Sequence, residues 1–188
     1  MKAFIINGHI KWPQIAEGTL NNTIFEKTKE LFLAKGYEIA ETIVDQGYEI
    51  PQEIEKWVNA DRILFHFPIN WFGMPAKTKD YIDKVLMSGY GKIYVGDGRN
   101  KGGNYGTGGL LQSKGMVVNT WNAPQETFKQ QGQLLQNSSM EEFTRPFTAT
   151  LEFVGIQTLP TFAFYDVFKN PNIENELANY QTHLSNYF

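Results

Sequence analysis

Three short segments of this 188-residue chain carry residue types suited to binding a ligand rather than attacking one. The first, Ala16-Glu17-Gly18-Thr19-Leu20-Asn21-Asn22-Thr23, closes a polar loop at the head of a helical pattern. Backbone N–H groups, hydroxyls and amides at a helix start suit a phosphate, aided by the helix dipole, although an ordinary N-cap uses the same residue types. The second, Pro68-Ile69-Asn70-Trp71-Phe72-Gly73-Met74-Pro75, sets two aromatics in a turn flanked by prolines. Such rings either cap a core or offer a flat apolar wall on which a heterocycle stacks. The third is Thr120-Trp121-Asn122-Ala123-Pro124, an indole among hydrogen-bonding neighbours. Counting Trp12, three of the four tryptophans fall in loops that follow strands, which favours a shared aromatic pocket.

Other chemistries are absent from the chain. With no cysteine there is no disulfide, thiolate metal site or cysteine nucleophile. No GxxxxGK[ST], no GxGxxG after a strand, no GxSxG and no HExxH occurs, which removes P-loop, Rossmann, α/β-hydrolase and zincin readings. His9, His66 and His183 lack metal-ligand spacing, so no metal site is expected. Of these, His9 is placed for ligand contact, His66 reads as a core histidine and His183 as a surface one. A net charge of -3 and a pI near 5.6 give no footprint for nucleic acid. No apolar stretch approaches a membrane span, and the start carries no signal-peptide pattern, so a cytoplasmic location is expected. A protein with a phosphate site and aromatic walls but no nucleophile needs a cofactor, and a flavin fits best.

The elements that must position these loops follow from periodicity. Apolar runs at Ala3 to Ile6, Tyr37 to Val44, Ile63 to Pro68, Lys114 to Trp121 and Thr158 to Tyr165 predict five strands. Helical spacing is expected from Thr19 to a stop at Lys35-Gly36, after Pro51, from Pro75, in a Gln-rich stretch near Phe128, around Leu151 and Val154, and from Ile173 to Tyr187. Strands alternating with helices argue for one α/β domain over residues 1–188, with a doubly wound parallel sheet and helices on both faces. One stretch breaks the alternation: ten of the 17 glycines lie from Gly89 to Gly115. This excursion, at about 88–115, is expected to wall a site or contact a second subunit, adding little to its own core.

Taken in order, Ile5-Ile6-Asn7-Gly8, Gly18-Thr19-Leu20-Asn21, the segment Pro68 to Pro75, Lys79-Asp80-Tyr81-Ile82-Asp83, Tyr105-Gly106-Thr107-Gly108-Gly109-Leu110 and Thr120 to Pro124 resemble the flavodoxin-like NAD(P)H:quinone oxidoreductases. The bacterial modulator of drug activity B group is the nearest in pattern, over nearly the whole chain. The resemblance implies a flavodoxin-like fold, bound FAD, a homodimer, and two-electron reduction of quinones or similar small aromatic acceptors by NADPH or NADH. It implies no catalytic side chain, the hydride passing through flavin N5 by ping-pong turnover. Carried over by position, Ala16, Glu17, Gly18, Thr19, Leu20, Asn21, Asn22 and Thr23 would hold the diphosphate and ribose. Ile69, Asn70, Trp71 and Phe72 would lie beside the isoalloxazine, Thr120, Trp121, Asn122 and Ala123 would meet its other edge, and Tyr105 would line the site. Ile69-Asn70 stands where the family pattern has Gly-Trp, which bears on the shape of the substrate pocket. The alternatives are an FMN-dependent azo or nitro reductase and a non-enzymatic flavodoxin-like electron-transfer module.

Overall fold

In the computed structural model, which describes residues 1–188, the first strand shows why the sheet needs cover on both sides. Within β1 (Lys2–Asn7), Ala3 and Ile5 enter one core, Phe4 and Ile6 the other, and all four are fully buried. A strand buried on both faces belongs to a parallel sheet sandwiched by helices. The sheet runs β2 (Glu38–Ile43), β1, β3 (Arg62–Pro68), β4 (Lys114–Thr120), all parallel, and ends in an edge strand made of two pieces. Those pieces are β5 (Gln157–Thr158) and β6 (Phe162–Phe164), both paired with β4. The run expected from Thr158 to Tyr165 is interrupted because Pro160 has no N–H to donate, a break that an edge strand tolerates.

The helices α1 (Thr19–Ala34) and α5 (Ile173–Tyr187) cover the face bearing Ala3 and Ile5. On the other face lie α2 (Ile50–Asn59), α3 (Ala76–Ser88) and α4 (Met140–Phe153). This is the doubly wound flavodoxin-like arrangement. The helix expected near Phe128 does not form. Only a single turn, Gln125–Thr127, precedes a loop in which Lys129 has φ 60° and Phe128 bridges to Leu135. That stretch has no apolar stripe to bury a helix face, and its one large ring, Phe128, packs instead against Trp121.

Two buried polar clusters fix the layers. Thr28 donates its hydroxyl to the Ile24 carbonyl, so it accepts from the Tyr180 hydroxyl at 2.8 Å. Tyr180, its one proton committed, then accepts from His66 Nε2 at 3.2 Å. This order makes His66 the Nε2–H tautomer and leaves its buried Nδ1 without a partner. Burial holds His66 neutral, its pKa pushed down to about 3. On the opposite face Glu53, 1% exposed, accepts from Thr42, Tyr81 and Lys56, and Trp57 Nε1 donates to the Tyr81 hydroxyl at 3.0 Å.

The glycine-rich excursion differs from its expected form. Ile93 and Leu111 are buried in the core shared by α3 and α4, so the segment does contribute to its own chain. Its two limbs pair through Val95 N–H to the Gly108 carbonyl and Leu110 N–H to the Ile93 carbonyl. Gly109 lies against Gly155 at the end of α4, where a Cβ would stand 2.1 Å from the Gly155 nitrogen. That approach requires glycine.

Candidate functional site

Strand order reverses between β1 and β3, and in open α/β sheets a ligand sits in the crevice beyond the carboxyl ends at such a switch. Three of the loops that leave that edge carry the expected residues, after Asn7, after Pro68 and after Thr120, and the strand register sets Pro68 beside Thr120.

The first loop is shaped by its own polar side chains. Asn7 Oδ1 accepts from His9 N–H at 3.0 Å while Asn7 Nδ2 donates to Asn22, tying the end of β1 to the first turn of α1. Trp12 and Ala16 exchange two backbone hydrogen bonds around a tight turn. Gly18, at φ 87°, caps α1 without a side-chain cap and packs on the His9 ring, where a Cβ would lie 2.7 Å from Nδ1. The N–H groups of Thr19, Leu20 and Asn21 are claimed by no protein acceptor, an arrangement suited to phosphate oxygens. Asp45 braces the loop from outside: it accepts from Lys11 N–H at 3.2 Å and from Lys77 Nζ at 3.0 Å. The Lys77 contact holds the Asp45 carboxyl below its ordinary range, and burial lowers the pKa of His9 although Asp45 pulls it the other way.

The second loop is strained. Asn70 and Gly73 pair reciprocally, N–H to carbonyl, at 2.8 and 3.0 Å, leaving a two-residue turn with Trp71 at φ 47° and Phe72 at φ 64°. Tight turns of this geometry favour Asn and Gly, so a pair of aromatics in the left-handed region costs about 1–3 kcal/mol per residue. Trp71 is 94% exposed and Phe72 52%, so burial of the indole does not account for the strain. Exposed rings held in an unfavourable backbone need a reason outside the packing of their own chain.

In the third loop, Asn21 Nδ2 reaches Thr120 Oγ1 at 3.4 Å, a long bond between α1 and the end of β4. Trp121 and Ala123 are tied to the segment after β6 by Val167 N–H and Asp166 N–H, but the N–H groups of Asn122 and Ala123 themselves have no protein acceptor. Trp121 turns inward. It is 3% exposed and packs edge-on against Phe143 of α4 at 4.7 Å between centroids. The shared pocket of three tryptophans is therefore not formed: Trp121 is core, whereas Trp12 and Trp71 are exposed and form no ring pair.

The structure thus gathers residues 16–23, 69–72 and 120–123 at one edge, and sets Tyr105 apart. Tyr105 packs on Phe153, at the end of α4 that leads into the start of β5, so it lies at the amino edge of its own sheet. Two residues outside the expected set join the edge, Phe128 and Phe143, which pack on Trp121. The sequence does mark the helix start that carries Phe143: Ser139-Met140-Glu141-Glu142 is a capping-box pattern, and α4 begins at Met140, three residues before it. Two open clefts, of about 420 and about 500 Å³, lie elsewhere, one beside Phe128, Tyr165 and His183 and one over Glu53, and none of the expected residues lines either. His183 there donates from Nε2 to the Pro160 carbonyl at 3.0 Å and packs on Phe162 and Tyr187, so it is more engaged than a free surface histidine.

Free N–H groups at a helix start, a flat aromatic turn and further free N–H groups across the crevice fit a flavin phosphate chain and ring in chemistry and order. A family model described as a flavodoxin-like fold matches residues 1–186. The NADPH:quinone oxidoreductase MdaB of Haemophilus influenzae is 41% identical over 177 residues, covering 92% of this chain and 92% of that protein. Among solved structures, the NADPH-quinone reductase of P. pentosaceus matches all of both chains with TM-score 0.69 and 21% identity. The general stress protein 14 of Treponema denticola, solved with FMN, matches 99% of each chain with TM-score 0.68 and 18% identity. These two establish a shared fold. The chain belongs to the flavodoxin-like family and, within it, to the NAD(P)H:quinone oxidoreductases. No helix is long and apolar enough to cross a membrane.

Proposed function

We propose that this protein is a flavin-dependent NAD(P)H:quinone oxidoreductase that uses FAD and acts as a homodimer in the cytoplasm. The observation that carries the reading is the strained, exposed Trp71–Phe72 turn standing at the same sheet edge as the free N–H groups of α1. When bound, the flavin supplies hydride transfer between a nicotinamide and a quinone, so the chain's own work is to hold, orient and shield. The N–H groups of Thr19, Leu20 and Asn21, at the positive end of α1, bind diphosphate oxygens. The free N–H groups of Asn122 and Ala123 would face the edge of the bound ring as donors, the arrangement an oxyanion hole uses. Trp71 and Phe72 form the flat floor against which planar reactants lie, which makes proximity the main source of rate.

FAD is favoured over FMN because the long first loop offers donors beyond those a single phosphate would use. The dimer is argued from Tyr105. In its own chain it stands at the wrong edge to meet a flavin, and with Tyr90 it is exposed on the excursion, so both rings are free to wall a partner's site. Release of the cofactor by denaturation and its identification by chromatography tests the flavin. FAD is expected, FMN would favour the azo or nitro reductase reading, and a colourless protein that ignores both flavins would overturn the proposal. Sedimentation across a concentration series tests the dimer, which a fully active monomer would exclude.

A further inference from the structure

The Trp71–Phe72 turn needs an outside support, because its own two hydrogen bonds do not offset two aromatics in the left-handed region. Its visible side-chain support is Phe143, whose ring lies 6.4 Å from Phe72, tilted 59°. Phe143 also packs on Trp121 at 4.7 Å and on Phe128 at 6.3 Å, so it joins the second loop of the site to the third and to the stretch after the Gln125–Thr127 turn. Its own position is fixed. Ser139 Oγ accepts from Glu142 N–H and Glu142 Oε2 accepts from Ser139 N–H, locking the start of α4, and Phe143 N–H donates to the Ser139 carbonyl.

We infer that Phe143 is a positioning residue for the acceptor: it sets the height and tilt of the aromatic floor through Phe72, and thereby selects fused-ring planar acceptors over small single-ring ones. The inference rests on the quinone-reductase reading. An acceptor that spans two fused rings uses the whole floor, so it is sensitive to a shift of Phe72, while a single ring uses less of it. Phe143 touches no reacting atom in this scheme and acts on the acceptor through Phe72.

The test compares the flavin-loaded wild type with Phe143→Ala, Phe143→Tyr, Phe72→Ala and the double alanine variant, using a naphthoquinone and a benzoquinone. For Phe143→Ala the KM for the naphthoquinone should rise about tenfold with kcat within about twofold, and the benzoquinone KM should change little. Phe143→Tyr, which keeps the ring, should restore the wild-type KM. The double variant should be no worse than the poorer single one, because both remove one shared contact. Independently of activity, amide hydrogen exchange at Asn70 and Gly73 should speed up about tenfold in Phe143→Ala while Val117, in β4, keeps its protection. Unchanged exchange in the turn, equal losses with both quinones, or additive losses in the double variant would each overturn the inference. A wild type that oxidises NAD(P)H with neither quinone would instead remove the functional reading on which it stands.

Discussion

Ile69 donates its N–H to the carbonyl of Thr120 at 2.9 Å, one step beyond the last paired residues of β3 and β4. The ladder between the two strands therefore continues into the loops. It fixes the aromatic turn that follows Ile69 relative to the free N–H groups that follow Thr120, and it does so with backbone, whatever the side chains are.

Relief of turn strain should separate stability from function. Trp71→Asn places a residue tolerant of the left-handed region where an exposed indole now sits, so the apoprotein should gain roughly 1 kcal/mol. Quinone reduction should fall, since the floor loses its larger ring. Chemical denaturation of the apoprotein beside steady-state kinetics checks both halves.

At Gly18 the expected change has the opposite sign. Gly18→Ala adds a Cβ that meets the His9 ring and imposes φ 87° on a residue with a side chain. A loss of about 1–2 kcal/mol is expected from the backbone alone, with weaker flavin retention because the N–H groups of Thr19 to Asn21 move. Equilibrium dialysis of flavin against the variant, with its thermal midpoint, measures both.

His66 should give the fold an acid-sensitive slope. Its pKa is about 3 when folded and near 6.5 when exposed, so between those values the unfolded chain binds the additional proton. Stability from keeping His66 neutral is fully present above about pH 6.5 and is lost as pH falls toward 3, by roughly 5 kcal/mol in all. Urea titrations from pH 7 to pH 4 should show the decline, and His66→Gln, which does not ionise, should flatten it. A slope that persists unchanged in the variant would assign the effect to other groups.

The phosphate assignment separates binding from capping. Thr19→Ala with Asn21→Ala should weaken flavin affinity while the fold persists, although loss of the long Asn21–Thr120 bond adds a small destabilisation. Because α1 has no side-chain cap, the two substitutions should cost its helix start little, and unchanged flavin affinity would confine the phosphate contacts to the backbone N–H groups of Thr19 to Asn21.

How much of this was legible in the sequence depends on which force decides each residue's place. The strands were readable because runs such as Phe4 to Ile6 and Ile63 to Phe65 are apolar on both faces, and burial on both faces is a local pattern. The stop of α1 was readable because Gly36 takes φ 78°. The inward turn of Trp121 was not, since an indole after a strand goes to whichever side offers partners, and Phe128 and Phe143 come from distant parts of the chain. The conformation of Trp71 and Phe72 runs against their own preferences, so no propensity argument reaches it. The amino-edge position of Tyr105 follows from how the excursion folds onto α4, a long-range contact that glycines permit but do not announce.

The most direct measurement is the initial rate of NADPH oxidation by the flavin-loaded protein, with quinone varied at several fixed NADPH concentrations. One crevice serving both reactants in turn predicts steady quinone-dependent oxidation and a family of parallel double-reciprocal lines. Lines that intersect would contradict the single shared crevice, and a flavin-loaded protein that oxidises neither NADPH nor NADH with any quinone would contradict the assigned function itself.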